Sequence, residues 1–532
     1  MSSPVENSTK ADQLLRKGQV LRARIASLAP GGDGVCRDYG PPVFVSRVAP
    51  GDLVEIELFD VRKDFARGRV LSVVEPSCQR TEPPCKLFKL CGGCHWQHID
   101  YRWQLQAKEE VVRQTVRHIA GLDPDLVLPA LAASEPLYYR NKVQFPVKHP
   151  HGSRRILAGY YKQGSHELVN IKHCPVQPEP LDRVLCAAKA VLERHAIAAY
   201  DERAGRGLLR HIAARYSFHY RQALVTLVVN AYPPGWLEGG ASRTDSSAGA
   251  ESDDDPLALP LSGGRRDGSL AGRKVARDPR ARGEALVEML KPAALELMAE
   301  VPEIAGVCLN FNPQAGNRIL GETTVCLAGQ DHIVEKVFST APGIPRRLRE
   351  GLEFRLSSMS FFQVNSSQIA PLLEEVTAAV GQANGLVVDA YAGVGTIALW
   401  LAPACRQVIA IEEHAGAVKD GLANRVLNRI NNVDFRQGRV EAVLPALVAE
   451  GLKPDAVVLD PPRKGVSPEA LAQVVVLAPR RLVYVSCNPA TLARDLKILA
   501  TNGYKTRKIR PIDMFPQTYH VESVAVVERE DE

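Results

Sequence analysis

Four short segments in the last third of this 532-residue chain carry side chains able to do covalent chemistry. Ser486-Cys487-Asn488-Pro489 sets a thiol in a polar turn between the apolar run RLVYVS and a helix-like stretch. A thiol that close to a helix start ionises more easily, and the thiolate is the nucleophile. Asp460-Pro461-Pro462-Arg463 follows another apolar run, and its two prolines make a rigid turn that offers a carboxylate and a backbone carbonyl to a flat ring. Methylases of exocyclic amines use similar turns but place an aromatic residue after the prolines, where this chain has Arg463. In the glycine loop Asp389-Ala-Tyr391-Ala-Gly393-Val-Gly395 the two glycines give a cofactor clearance to approach the backbone. The loop lacks the full dinucleotide fingerprint and suits a nucleoside cofactor without a pyrophosphate. Glu412 ends the next apolar run, where a carboxylate can accept hydrogen bonds from both ribose hydroxyls.

These residues act together only if successive strand ends of one sheet bring them together. From about Ser360 onward apolar runs alternate with helix-like stretches: GLVVDA, QVIAIEE, PDAVVLD, RLVYVS, then a closing pair of strands. The pattern predicts a doubly wound, Rossmann-like parallel sheet. An acid ending one strand and a glutamate ending the next read as an S-adenosylmethionine site. A thiol beside that cofactor has a specific use. Uracil carbon 5 is too weak a nucleophile to take a methyl group unaided, and addition of a thiolate at carbon 6 turns it into an enolate. Carbon 5 then keeps a proton that a base must remove, and Glu522, in Tyr519-His520-Val521-Glu522, is the candidate.

The preceding residues divide in two. Residues 1–75 contain β-rich stretches punctuated by glycine turns (QVLRARIASL, GGDGV, PVFVSRVAPGD, LVEIELFDV, RGRVLSVV), the pattern of an OB-like barrel that tracks an RNA backbone. Residues 76–359 form a second, β-rich domain with cysteines near its start. Between about 237 and 283 the sequence turns polar and glycine-rich and is expected to be a disordered insertion. Lysine and arginine outnumber acids 25 to 19 in residues 1–180 and balance them at 41 each beyond, so the net charge of +6 sits where an RNA-facing surface is expected. No apolar run is long enough to span a bilayer, and the polar start lacks a secretory pattern. The expectation is a cytoplasmic monomer with no membrane partner and reduced cysteines.

Cys85, Cys91 and Cys94 follow a C-x5-C-G-G-C pattern, and Cys174 lies in a separate His-Cys-Pro turn. Four thiolates can hold one metal centre, zinc or iron–sulfur, and spacing does not separate the two. Cys78, at the end of the barrel, is set aside as a ligand.

Over nearly its whole length the chain resembles the RNA uracil-5-methyltransferases, most closely their 23S ribosomal RNA branch. The resemblance rests on Ser360-Phe361-Phe362-Gln363-Val364-Asn365, DAYAGVGT, Asp460 to Arg463, Ser486 to Pro489 and His520-Val521-Glu522. It implies that Gln363, Tyr391, Glu412 and Asp460 line the cofactor and uracil site, that Cys487 is the nucleophile and Glu522 the base. It further implies that the barrel is an RNA-binding TRAM module, that the four cysteines hold a [4Fe-4S] cluster, and that the partner is structured RNA. One departure is Gln437-Gly438-Arg439, where relatives often carry an acidic or amide residue near the adenine, so no adenine contact is transferred there. Two rivals differ in kind. A methylase of an exocyclic amine would need no thiol, and a non-catalytic RNA-binding iron–sulfur protein would leave the cofactor loop empty. Within the same chemistry, transfer RNA is the alternative substrate.

Overall fold

The computed structural model describes residues 15–150, 152–234, 279–381 and 385–530. The first unit is a six-stranded barrel of β1 (Val20–Arg24), β2 (Ser27–Leu28), β3 (Gly34–Cys36), β4 (Val43–Val45), β5 (Leu53–Val61) and β6 (Ala66–Glu75), in the order β1-β5-β6-β4-β3-β2. Alternation along β1 and β5 turns Leu21, Ala23, Val54, Ile56 and Leu58 inward and leaves the charged residues between them outside.

Helix α1 (Tyr101–Thr115) leads into the central unit, which contains β7 (Lys142–Lys148), β8 (Leu157–Tyr161), β9 (Leu168–Asn170), α2 (Glu179–Arg194), β10 (Leu209–Ser217), β11 (Gln222–Val229), α3 (Pro279–Glu300), β12 (Ile304–Phe311) and β13 (Thr323–Gly329). Its strands form one sheet, β13-β12-β11-β10-β7-β8-β9, whose core is shared with α2 and α3. Most of the predicted insertion, residues 237–278, lies outside the described residues, and α3 begins inside its expected span, at Pro279.

A hairpin follows, β14 (His332–Val337) and β15 (Leu352–Ser357), enclosing the short α4 (Arg346–Glu350). The C-terminal unit then runs α5 (Ser366–Val380), β16 (Leu386–Ala390), α6 (Thr396–Leu401), β17 (Gln407–Glu412), α7 (Ala415–Leu427), β18 (Val433–Gln437), α8 (Val440–Ala449), β19 (Ala456–Leu459), α9 (Pro468–Leu477), β20 (Arg481–Ser486), α10 (Pro489–Ala500), β21 (Tyr504–Ile512) and β22 (Glu522–Arg529). Its sheet has the order β18-β17-β16-β19-β20-β22-β21, parallel except for the closing hairpin strand β22, which is antiparallel to both neighbours. Strands β16, β17, β19 and β20 are nearly continuous apolar runs because helices cover both faces.

Packing crosses the division expected at residue 360. The hairpin β14–β15 shares a core with α5 and one face of the C-terminal sheet, and Val112, Val116 and Val127 share a core with the other face. Bridges from Val127 to Ile509 and from Leu131 to Ile512 cover the edge of β21 that would otherwise be open. Among the described residues no helix is long and apolar enough to cross a membrane.

Candidate active site and thiol pocket

Register fixes how the strand ends meet. Ala390 pairs with both Ile411 and Leu459, and Leu459 pairs with Tyr484, so Tyr391, Glu412, Asp460 and the Ser486–Asn488 turn cluster at the carboxyl end of the sheet. Ligands bind there in open α/β sheets. Tyr391 opens the loop with φ of 71°, and Gly395 closes it with φ of 83°, where a side chain would also run into the Phe435 ring at 2.6 Å. Glu412 ties this loop down: its Oε2 accepts from the Gly393 amide at 2.9 Å and its Oε1 from the His414 amide at 2.8 Å. Each oxygen keeps a second lone pair for a ligand donor.

Asp389 is fully buried, with no side-chain donor on either carboxylate oxygen and the Ala398 backbone amide as the group that favours its ionised form. Burial, then the charge of Asp460, and also Glu412, push its carboxyl well above the usual range. Three carboxylates thus surround the glycine loop, a donor-hungry environment that suits the ammonium and hydroxyl groups of S-adenosylmethionine.

The thiol and the candidate base lie at the same end of one ladder. Ser486, the last residue of β20, pairs with Ser523, so Cys487 and Glu522 each directly adjoin the last pair of the β20–β22 ladder. Asn488 caps α10 by accepting from the Ala490 amide at 3.1 Å, and its Nδ2 donates to the Arg463 carbonyl at 3.0 Å. The thiol turn and the Asp-Pro-Pro-Arg turn are therefore one rigid piece. The Arg463 guanidinium lies 3.4 Å from Nδ1 of His520, which stacks on Tyr519 at a ring separation of 4.2 Å.

Gln363 arrives from outside the sheet. Its segment is pinned by Phe362, packed on Phe354, and by the central unit: Asn141 Nδ2 donates to the Gln363 carbonyl and to the Ser366 hydroxyl oxygen, both at 2.9 Å, while Arg215 donates to the Ser360 carbonyl. Sequence reading did not find Asn141, Arg215 or Asn488. Their partners lie 25 to 225 residues away, and no local pattern announces such contacts.

Cys85, Cys91, Cys94 and Cys174 line one small cavity with Leu87, Phe88, Tyr160, Ile171 and Val176. The turn carrying Cys174 is held by Asp182, which accepts from the Cys174 amide at 3.2 Å, from Gln177 at 2.7 Å and pairs with His173 at 2.8 Å. Burial pushes the thiols up, Cys91 to about 11 and Cys174 to about 12, with Cys94 also raised by the charges of Cys174 and Cys91. Such thiols stay protonated until a metal displaces the protons. Among the described residues no group of three or more His, Cys, Asp or Glu side chains is placed to hold a metal ion.

A doubly wound sheet with carboxylates ending adjacent strands around a glycine loop, joined to a small barrel, defines an RNA-modifying methyltransferase. Residues 346–530 match the family model described as tRNA (uracil-5-)-methyltransferase, and residues 15–71 match the TRAM domain. An uncharacterized RNA methyltransferase of Gloeobacter violaceus is 39% identical, with 97% of this chain and 98% of the relative covered. One from Bacillus cereus is 33% identical over 98% and 99% of the two chains. The crystal structure of the Pyrococcus abyssi tRNA (uracil-54, C5)-methyltransferase in complex with S-adenosyl-L-homocysteine shares the fold, with a TM-score of 0.65 at 22% identity, covering 95% of this chain and all of that one. The chain belongs to a family of RNA methyltransferases.

Proposed function

We propose that this enzyme methylates carbon 5 of a uridine in 23S ribosomal RNA through a covalent adduct on Cys487. The observation that supports the mechanism is the pairing of Ser486 with Ser523, the chain neighbours of Cys487 and Glu522, at the end of the β20–β22 ladder. The Cys487 thiolate adds to uracil carbon 6, forming a carbon–sulfur bond and shifting the carbon 5–carbon 6 electron pair toward carbon 5 and the carbonyl oxygen. S-adenosylmethionine supplies a methyl group on a sulfonium centre. Once carbon 5 carries the methyl group, the Glu522 carboxylate takes its proton, the double bond re-forms, and the carbon–sulfur bond breaks to release the thiolate. Asp389, Tyr391 and Glu412 hold the cofactor at the glycine loop, while Gln363 and Asp460 orient the uracil.

Cys487→Ala should bind cofactor and RNA yet transfer no methyl group. Glu522→Gln keeps size but cannot accept the proton, so it should leave labelled methyl on RNA that stays attached to protein on a denaturing gel. Normal turnover by Glu522→Gln, or an adduct from Cys487→Ala, would remove these assignments. The barrel and the thiol pocket together favour ribosomal RNA, whereas the description of the matched family model favours transfer RNA. Deleting the gene in its host and mapping the lost 5-methyluridines by mass spectrometry decides between them.

We also assign a [4Fe-4S] cluster to Cys85, Cys91, Cys94 and Cys174. The assignment is supported by the cavity that the four thiols share and follows the family resemblance, with zinc as the alternative. The cluster would tie the Cys174 turn to the early cysteines. Protein purified without oxygen should be brown with about four irons per chain, and Cys91→Ser should lose the colour. Stoichiometric zinc without iron would overturn the assignment.

A further inference from the structure

Residues 513–521 join β21 to β22 and end at Glu522. Almost every polar group in the middle of this loop is committed to the N-terminal half of the chain. Gln517, buried and in the left-handed region at φ of 70°, is the focus. Its amide donates to Gln104 Oε1 at 3.0 Å, and its own Oε1 accepts from Gln104 Nε2 at 3.0 Å. Its carbonyl accepts from the consecutive amides of His95 and Trp96, each at 3.0 Å, and its Nε2 donates to the Pro136 carbonyl at 3.3 Å. Gln104, itself buried on α1, also donates to the carbonyls of Trp96 and Ile99 at 3.1 and 2.8 Å. Tyr139 donates to the Pro516 carbonyl at 3.0 Å.

A loop fixed this way has one conformation, and Glu522, paired with Ile512 across the mouth of the hairpin, follows directly on it. A left-handed backbone at a glutamine persists only where its surroundings impose it. Here they are the two side-chain amides facing each other. Proton removal from carbon 5 is the step most sensitive to the position of the carboxylate, since a displacement of about 1 Å can cost on the order of a hundredfold in rate. Addition of Cys487 and methyl transfer depend instead on the β20 turn, which Asn488 secures independently.

We propose that Gln104 and Gln517 form a positioning pair that sets Glu522 for elimination, so that loosening it slows release of methylated RNA while leaving methyl transfer intact. The proposal rests on Glu522 being the base. The test uses full-length protein, labelled S-adenosylmethionine, and total RNA from a host strain deleted for the gene. Gln104→Met keeps length and removes the donor and acceptor. It should lower multiple-turnover release of methylated RNA about tenfold while single-turnover methyl transfer stays within about twofold, so that labelled protein–RNA adduct accumulates. Gln104→Asn keeps the donor and the acceptor on a side chain one methylene shorter and should accumulate less adduct than Gln104→Met, and serves alone if the methionine variant does not fold.

Glu522→Gln is assayed in parallel. If it accumulates adduct and the Gln104 variants do not, or if their transfer and release fall together, the positioning role is overturned and the base assignment stands. If Glu522→Gln turns over normally, the base assignment fails and the positioning role fails with it.

Discussion

Asp389 sits wholly buried at the end of β16, with no side-chain donor on either oxygen, beside Asp460 and Glu412. Burying an ionised carboxylate without side-chain donors costs stability, and this one is retained where the cofactor's positive and donor groups would meet it. The sign of its pH dependence follows. Because its folded-state pKa is raised above the ordinary 3.8, the residue favours the fold below that value, and this contribution is lost as pH rises through the folded pKa. Asp389→Asn should therefore match the wild type in stability at low pH, where both side chains are neutral, and gain on it progressively as pH rises in the cofactor-free protein. The same variant should bind S-adenosylmethionine more weakly. Urea melts across pH and calorimetry of the cofactor check both halves; equal stability of the two proteins at neutral pH would contradict the reading. At this scale the sequence was most informative, since Cys487, Glu522, Tyr391, Glu412 and Asp460 all sit beside strand ends that apolar runs had marked in advance.

Among elements, α10 does two jobs through its first residues. Asn488 accepts from the Ala490 amide as the helix cap, and donates to the Arg463 carbonyl, which joins the Asp-Pro-Pro-Arg turn to the thiol turn. The two contacts are separable by chemistry. Asn488→Ala should lose both, costing about 1 kcal/mol of stability and at least tenfold in activity. Asn488→Asp keeps the cap acceptor but sets a carboxylate against a carbonyl, so stability should largely return while activity stays low. Thermal melts and turnover of the two variants measure the split, and full activity in Asn488→Asp would show that the Arg463 tether is dispensable. The helix and the turn were readable from local pattern, because a cap and two prolines act on their own neighbours. The tether was not, because it joins positions 25 residues apart across a strand crossover. The same reasoning covers Gln363: its motif was legible, and the grip of Asn141 on its carbonyl, 222 residues away, was not.

Across the whole molecule, barrel, thiol segment and catalytic sheet close around the loop 513–521. Trp96 donates to the Gly32 carbonyl of the barrel at 3.0 Å, and a side chain at Gly32 would collide with Tyr519 at 2.6 Å. Below them Lys108 and Asp513 form a fully buried ion pair at 2.5 Å, and Lys108 also donates to the Phe515 carbonyl at 3.0 Å. A pair so enclosed is destabilising when one charge is left alone. Lys108→Met should cost about 3–5 kcal/mol, and Lys108→Met with Asp513→Leu should recover much of it. Denaturant melts of the two singles and the double give the coupling; additive losses would mean that the charges do not depend on each other. The β-rich N-terminal unit and the C-terminal α/β sheet were legible from changes in residue pattern along the chain. The shared cores were not, since Val112 and Val127 join the C-terminal sheet from sequence that reads as belonging to the central unit.

The separation of these partners sets a timetable for the newborn chain. Lys108 is 405 residues from Asp513, and Gln104 is 413 from Gln517. At the usual pace of translation, roughly 5–20 residues per second, α1 waits roughly 20 to 80 s with a charge and an amide prepared for burial and nothing yet to bury them against. During that interval the barrel segment has been made, but the segments that carry Cys487 and Glu522 have not. If those two residues act as proposed, a polypeptide still on the ribosome, surrounded by RNA, is chemically silent until β22 emerges.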